Sequence, residues 1–357
     1  MSADVREPAV RPAGYALTRR GRASFLTHRR SLLLASSLLV LLAAAMLLSL
    51  CVGETLVAPS HALRVVLGGQ DPDGFTVGTL RLPRVVLGAL VGAAFGVSGA
   101  LVQTVARNPL ASPDVIGISH GASAVTVGLL AYGVVDDTAE AALAAVAGGV
   151  ATAALVWGTA WRRGINAQRF VLIGVGISIA LGAVTQLFLT KGDALQAEQA
   201  KVWMSGSLNG AVWSQSWPVL GVLAVVACAL PWAARAQRVV GLDDLTATSL
   251  GVRLGRSRLG LAALGVLAAS IAVGASGPVD FVALVAPQVA LRLARTAQIP
   301  LASSALGGAL LVVLADLLAR TALDPTELPV GVVTAFIGAP YLMWLLVRGR
   351  PGQASRG

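Results

Sequence analysis

The sequence reads as an all-α polytopic membrane protein with ten transmembrane helices, on the strength of its charge content, its hydropathy and the length of its apolar runs. Of 357 residues, 56% are hydrophobic and only 12% charged, against roughly 25% charged in an ordinary soluble domain. The mean hydropathy is +0.77. Uncharged apolar runs recur along the chain at about 20 residues, the length that crosses a bilayer core. This composition argues against a nuclease, a soluble dehydrogenase or a disulfide scaffold.

Residues 1–30 carry seven arginines against Asp4 and Glu7, mixed with Pro and Gly and without a helical apolar period, and read as a basic cytoplasmic tail. The run 31–52 ends in Cys51-Val52-Gly53-Glu54, which is no small-residue cleavage site, and it exceeds the roughly 7 to 15 residues of a secretion-signal core. It is therefore read as a retained first span. Further spans follow at 83–106, 114–134, 140–161, 169–190, 215–234, 259–276, 281–294, 301–319 and 329–347. The eighth is short and calls for protein neighbours rather than lipid alone. Residues 31–348 thus form the membrane domain, with an inner loop at 235–258 between the sixth and seventh spans and a second cytoplasmic tail at 349–357.

Forty glycines are present, including Gly88, Gly92, Gly96 and Gly99 in the second span. They let helix backbones approach closely where lipid supplies no hydrophobic drive. The segment Gly96-Val97-Ser98-Gly99-Ala100-Leu101 weakly echoes Gly274-Ala275-Ser276-Gly277-Pro278-Val279, a hint of an internal inverted repeat.

The formal net charge of +10 does not indicate a nucleic-acid partner, because the basic residues sit in short segments between apolar runs. Their distribution is topological. With both termini inside, the inner segments hold 21 of the 27 basic residues, and the outer segments hold 12 of the 17 acids. Excess arginine on the cytoplasmic side fits an N-in, C-in orientation.

Two cysteines, Cys51 and Cys228, both within apolar runs, read as packing residues. Lys191 precedes Gly192 and Lys201 precedes Val202, so neither lysine is followed by Ser or Thr and the chain has no P-loop. Titratable groups at depth, which gradient-driven carriers need, are nearly absent. Asp316 is the clearest, and it can pair with Arg320 one turn later. His28, His61 and His120 share no ligand spacing, which argues against a metal site. No constellation for hydrolytic catalysis is visible in the spans, so the chain reads as a pathway without chemistry.

One group of motifs is more specific. It comprises Arg81-Leu82-Pro83-Arg84, Gln103 and Arg107-Asn108-Pro109-Leu110-Ala111-Ser112-Pro113-Asp114-Val115-Ile116-Gly117. It continues with Trp203-Met204-Ser205-Gly206-Ser207-Leu208, Phe281-Val282-Ala283-Leu284-Val285-Ala286-Pro287 and Glu327-Leu328-Pro329-Val330-Gly331. In order and spacing the chain resembles the permeases of iron-siderophore and vitamin B12 ABC importers, the FecCD/BtuC type, over about residues 31–348. The family motif residues are Arg107, Asn108, Pro109, Pro113, Pro287 and Gln288; at the last of these the family often has histidine. Glutamine keeps a hydrogen-bonding group there but does not titrate.

The resemblance implies a ten-helix subunit that pairs with a second permease subunit, homo- or heterodimerically, in the bacterial cytoplasmic membrane. It implies two ATP-binding cassette subunits carrying ATP and Mg, an extracytoplasmic siderophore-binding protein, and no cofactor on the chain itself. It places Arg81, Arg84 and Arg320 at the binding-protein docking face. Coupling to the ATPase falls to Leu242, Asp243, Asp244, Leu245, Ala247, Leu250 and Gly251, with an aspartate positioned to cap a short helix and Gly251 to end it. The cytoplasmic gate falls at Ala167 and Gln168. Ferric siderophore is the implied cargo, with cobalamin or haem as alternatives.

Overall fold

A computed structural model describes residues 15–20, 23–135, 138–160, 167–192, 194–242, 244–249, 251–323 and 326–348. The chain begins with an antiparallel pair, β1 (Tyr15–Arg20) and β2 (Ala23–His28), Tyr15 opposite His28 and Arg20 opposite Ala23. This pair is not expected from the basic tail, which shows no helical apolar period. Its alternating Tyr-Ala-Leu-Thr and Ala-Ser-Phe-Leu-Thr wording carries a two-residue period too short to stand out among the arginines.

Thirteen α-helices follow among the described residues. They are α1 (Arg29–Cys51), α2 (Pro59–Val66), α3 (Leu82–Ala106), α4 (Ile118–Ala131), α5 (Thr138–Ala160), α6 (Ala167–Lys191) and α7 (Ala194–Met204). The remainder are α8 (Trp213–Val240), α9 (Asp244–Ser249), α10 (Leu254–Ser276), α11 (Val282–Ala294), α12 (Leu301–Thr321) and α13 (Val330–Arg348). A π-helical turn, Thr76–Arg81, leads into α3. Seven helical segments are long and apolar enough to cross a membrane, and α4, α11 and most of α13 are shorter apolar helices. Every predicted span therefore has a helix in it.

The centre of the bundle is α3, whose apolar window is 78% buried. It packs against α8, α10, α11 and α12. Small residues make this possible: a Cβ added to Gly92 lies 2.3 Å from the Gly308 carbonyl oxygen, so α3 and α12 meet backbone to backbone. Phe95, Leu87 and Leu101 fill the core around that contact. By contrast α6 and α8 leave apolar side chains such as Leu172, Ile179, Val225 and Trp217 exposed. Cys51 is buried as expected, whereas Cys228 is exposed on α8 and does not pack into the core.

Two helices start partway through the bundle. After α3 the chain does not begin a span at 114; residues 107–117 fold back between the helices, so that Ile116 lies against Gly174 of α6 and Ile118 against Gly149, midway along α5. Pro109 and Pro113 keep this stretch from joining a helix. Its polar groups are satisfied locally, as non-helical backbone inside a bundle requires. Leu110 N–H donates to the Asn108 side chain at 2.9 Å, Ile118 N–H to the Pro113 carbonyl at 3.0 Å, and the Ser119 hydroxyl to the Asp114 carboxylate.

The second case is α11, whose start lies level with Gly99 of α3: a Cβ at Gly99 falls 1.7 Å from the Ala283 carbonyl oxygen. Each of these helices is preceded by a residue in the left-handed region, Gly117 at φ 94° and Phe281 at φ 66°.

Three boundaries differ from the sequence reading. The third span opens at Ile118 rather than 114. The sixth helix runs to Val240, so the first residues of the expected inner loop 235–258 are helical, and the seventh helix starts at Leu254. Finally, the echoing segments 96–101 and 274–279 occupy different positions, one inside α3 and the other across the end of α10.

Candidate functional site

At the end of the molecule where α3, α8 and α10 meet the loop around α9, charge organises the backbone. Arg107 follows α3 in a left-handed conformation, φ 48°, which turns its side chain away from the helix. Its guanidinium donates to the Val240 carbonyl at 3.0 and 2.9 Å and to the Leu242 carbonyl at 2.5 Å. These are among the last carbonyls around the end of α8, the groups that a helix end leaves without partners. The same guanidinium lies 2.6 Å from the Asp244 carboxylate, which also receives Arg258 at 2.6 Å.

The hydrogen bond from Arg258 is the main cause that holds the Asp244 carboxyl below the usual carboxylate range, against partial burial and with the charges of Arg258 and Arg107 adding to it. Gln237 of α8 donates to the Thr104 hydroxyl of α3 at 2.9 Å, one turn further in.

Within this clamp α9 is short and sharply ended. Gly251 N–H donates to the Thr248 carbonyl at 2.9 Å and Val252 N–H to the Ala247 carbonyl at 3.3 Å, with Gly251 at φ 76°. This is the paired closing pattern of a glycine-ended helix, so Gly251 ends the helix as the sequence suggested. Asp244 is the first residue of α9 and spends its carboxylate on arginines instead of on a cap. Ala247 is fully buried, while Leu245 is 80% exposed and Leu242 also faces outward. Asp243 and Leu250 lie outside the described residues.

At the opposite end sit the three arginines assigned to docking, each held by groups of its own chain. Arg81 and Arg84 are only 7% and 8% exposed. Arg81 donates to the Leu50 carbonyl at 2.8 Å and to Thr55; Arg320 donates to the Ser49 carbonyl at 2.9 Å, the Ser49 hydroxyl and the Val52 carbonyl. Leu48 and Cys51 carbonyls accept from Val52 and Val57 N–H. All four terminal carbonyls of α1 are thereby satisfied, two of them by cations placed at the negative end of the helix dipole.

Arg84 donates to Asp316 at 3.0 and 3.2 Å and to Glu327 at 3.0 Å, and Arg320 completes the group 3.5 Å from Asp316. The predicted Asp316–Arg320 pair exists, but Arg84 is the closer partner. The three guanidinium groups face their own chain because the carbonyls of Ser49, Leu50, Val52 and Thr55 and the carboxylates of Asp316 and Glu327 take up their donors.

Between these ends lies a buried polar contact. Gln288 donates to the Gln103 side chain at 2.7 Å, and Gln103 donates to the Leu284 carbonyl at 3.2 Å. Gln103 and the family motif residue Gln288 thus join α3 to α11, next to Pro287. Nearby, His120 and Asp280 are exposed and Asp114 is half-buried, at the starts of the two short helices; His120 lies against Gly182 of α6. The gate residues Ala167 and Gln168 open α6, but their side chains lie outside the described residues, as does Asn166.

A bundle of long apolar helices with two helices begun inside it, charged knots at both ends and a clamped short helix on one face defines a membrane permease subunit. The chain belongs to the FecCD transport family, whose profile matches residues 41–348. It is 42% identical over 285 residues to the ferric enterobactin transport system permease protein FepG of Escherichia coli, covering 79% of this chain and 86% of that one. It is 41% identical to the achromobactin transport system permease protein CbrC of Dickeya dadantii over 336 residues, covering 93% and 96%. Among solved structures it matches a metal-chelate type ABC transporter in an inward-facing conformation, with a TM-score of 0.75 and 25% identity, covering 89% of this chain and 99% of that one. The chain is accordingly a permease subunit of an ABC importer.

Proposed function

We propose that this subunit carries ferric siderophore complexes, released by an extracytoplasmic binding protein, across the bacterial cytoplasmic membrane, driven by two ATPase subunits on its inner face. Permeases for ferric chelates recur among its relatives, including an iron(3+)-hydroxamate import permease and a siderophore transport system permease of Bacillus subtilis, each at 36% identity. The vitamin B12 import permease of Escherichia coli is a more distant relative, at 35%.

The observation that carries the mechanism is the clamp on α9. A helix that pushes an exposed Leu245 outward while Arg107 and Arg258 hold its first carboxylate is suited to receive a push and pass it on. Because Arg107 ends α3, the force arrives at the most buried helix of the bundle. Leu242, Asp243, Asp244, Leu245, Ala247, Leu250 and Gly251 are the coupling segment in this reading.

Seven long and three shorter apolar helices make ten crossings, with both termini on the arginine-rich inner side. The α3–α4 and α10–α11 pairs, each a long helix, an inward loop and a half-length helix, are the two copies of an inverted repeat. His120 and Asp280 are exposed at the depth of these half-helix starts, where lipid contact would be costly. That face therefore borders the aqueous pathway against a second permease subunit, with Ala167 and Gln168 as its inner gate. The rim arginines support docking indirectly, by fixing α1 and presenting Glu327, whose side chain is 40% exposed.

The test is uptake of a panel of radioactive ferric chelates and cobalamin into proteoliposomes holding the chain with its ATPase and binding protein. Uptake of one ferric chelate supports the assignment. Uptake of cobalamin alone overturns the cargo and keeps the importer.

A further inference from the structure

On the same side of the molecule as the end of α1, three side chains from one short stretch of chain converge. His61 lies on α2, and Asp71 and Asp73 lie in the loop before the π-helical turn. The His61 Nδ1 atom is 3.3 Å from Asp71 Oδ1 and 3.2 Å from Asp73 Oδ2. The three ligand atoms all lie within 4.8 Å of one another.

From this arrangement we infer a divalent transition-metal site of the zinc class, formed by His61 Nδ1, Asp71 Oδ1 and Asp73 Oδ2.

The geometry suits an ion. Zinc bonds of about 2.0 to 2.2 Å to nitrogen and oxygen place tetrahedral ligands about 3.3 to 3.4 Å apart, close to the 3.3 and 3.2 Å that separate the imidazole nitrogen from the two carboxylates. One imidazole with two carboxylates suits zinc or its neighbours, whereas calcium asks for six to eight oxygens. The fourth position falls to water.

A second observation points the same way. The Asp71 side chain is fully buried, and its Oδ2 has no hydrogen-bond partner, only the charge of Arg64 at 3.5 Å. The Arg64 side chain is 60% exposed, so its compensation of this buried carboxylate is screened by water, and a bound cation adds to it. Asp71 Oδ1 also receives the Asp73 N–H at 3.1 Å, which fixes the loop so that both carboxylates face the imidazole. The cationic groups that oppose metal binding are Arg64, at 3.5 Å from Asp71, and Arg81, whose charge acts on Asp73. Neither neutralises both aspartates.

A metal here ties α2 to the segment that leads into the π-helical turn. That turn ends in Arg81, which holds the end of α1. The site is thus a staple on the outer rim of the bundle.

The experiment uses the full chain purified in detergent without a polyhistidine tag. Calorimetry with ZnCl2 is expected to show one ion per chain, and Co²⁺ to give the visible absorption of a tetrahedral site. His61→Ala and Asp73→Asn change partly exposed side chains, so the bundle stays folded, and both are expected to lose the cobalt band. Absence of zinc binding by the wild type, as for an imidazole simply hydrogen-bonded to two aspartates, overturns the proposal. So does a cobalt band that survives in His61→Ala.

Discussion

The guanidinium of Arg107 and the carboxylate of Asp244 meet at 2.6 Å, joining the end of the central helix α3 to the first residue of the outward-facing α9. Arg258 shares the same carboxylate oxygen from α10. A movement of α9 is therefore shared by two helices of the core.

Arg107→Ala and Asp244→Ala should each lower transport several-fold while leaving the ATPase bound. Asp244 is half exposed, so water screens the pair and the stability cost stays at about 1 kcal/mol or less. The check is transport per ATP hydrolysed. The double variant should resemble either single one, since the two residues act as a unit.

The pH behaviour of this clamp follows from its direction of shift. Arg258 in the first place keeps the Asp244 carboxyl more acidic in the folded chain than in the unfolded one. Its contribution is complete above the ordinary carboxylate pKa of about 3.9 and is lost only as pH falls through the lower folded value. Coupling measured between about pH 5 and 8 should therefore be flat. A decline centred near neutrality would assign the linkage to another group.

Arg84→Ala leaves Asp316 buried with Arg320 alone, at 3.5 Å. Breaking one partner of a buried pair costs about 3 to 5 kcal/mol, read as a lower thermal unfolding midpoint in detergent. Replacing both Arg84 and Asp316 by apolar residues of similar size should recover much of that loss. Asp316→Asn should keep ATP-driven uptake per folded molecule, because the carboxylate serves the arginines and has no part in a proton relay.

Gly99→Val should prevent folding of the α3–α11 contact, since the Cβ of any larger residue meets the Ala283 carbonyl oxygen at 1.7 Å. Gly158→Ala, where a Cβ meets nothing within 4 Å, is the matched control and should express at wild-type levels.

The apolar runs located every long helix, because period and length are local properties of the chain. They placed the start of α4 four residues early, since residues 114–117 run straight into an apolar stretch and only the packing of Ile116 against α6 shows that the helix has not yet begun there. The α9 segment was legible through Gly251, whose role is local. Its clamp was not, although the signal was there: Asp243 and Asp244 are the only acids in an inner loop rich in arginine.

For Arg81, Arg84 and Arg320, position at the rim said nothing of direction. Their side chains turn inward because unpaired carbonyls at the end of α1 and the buried Asp316 outcompete solvent. His61, Asp71 and Asp73 were invisible as a group because a loop, not a helical spacing, brings them together.

The most direct test of the whole account is the energy source of transport. In proteoliposomes, the initial rate of ferric chelate uptake should require ATP, the ATPase subunits and the binding protein, and should not respond to an imposed pH gradient. Uptake driven by a pH gradient in the absence of ATP would contradict it.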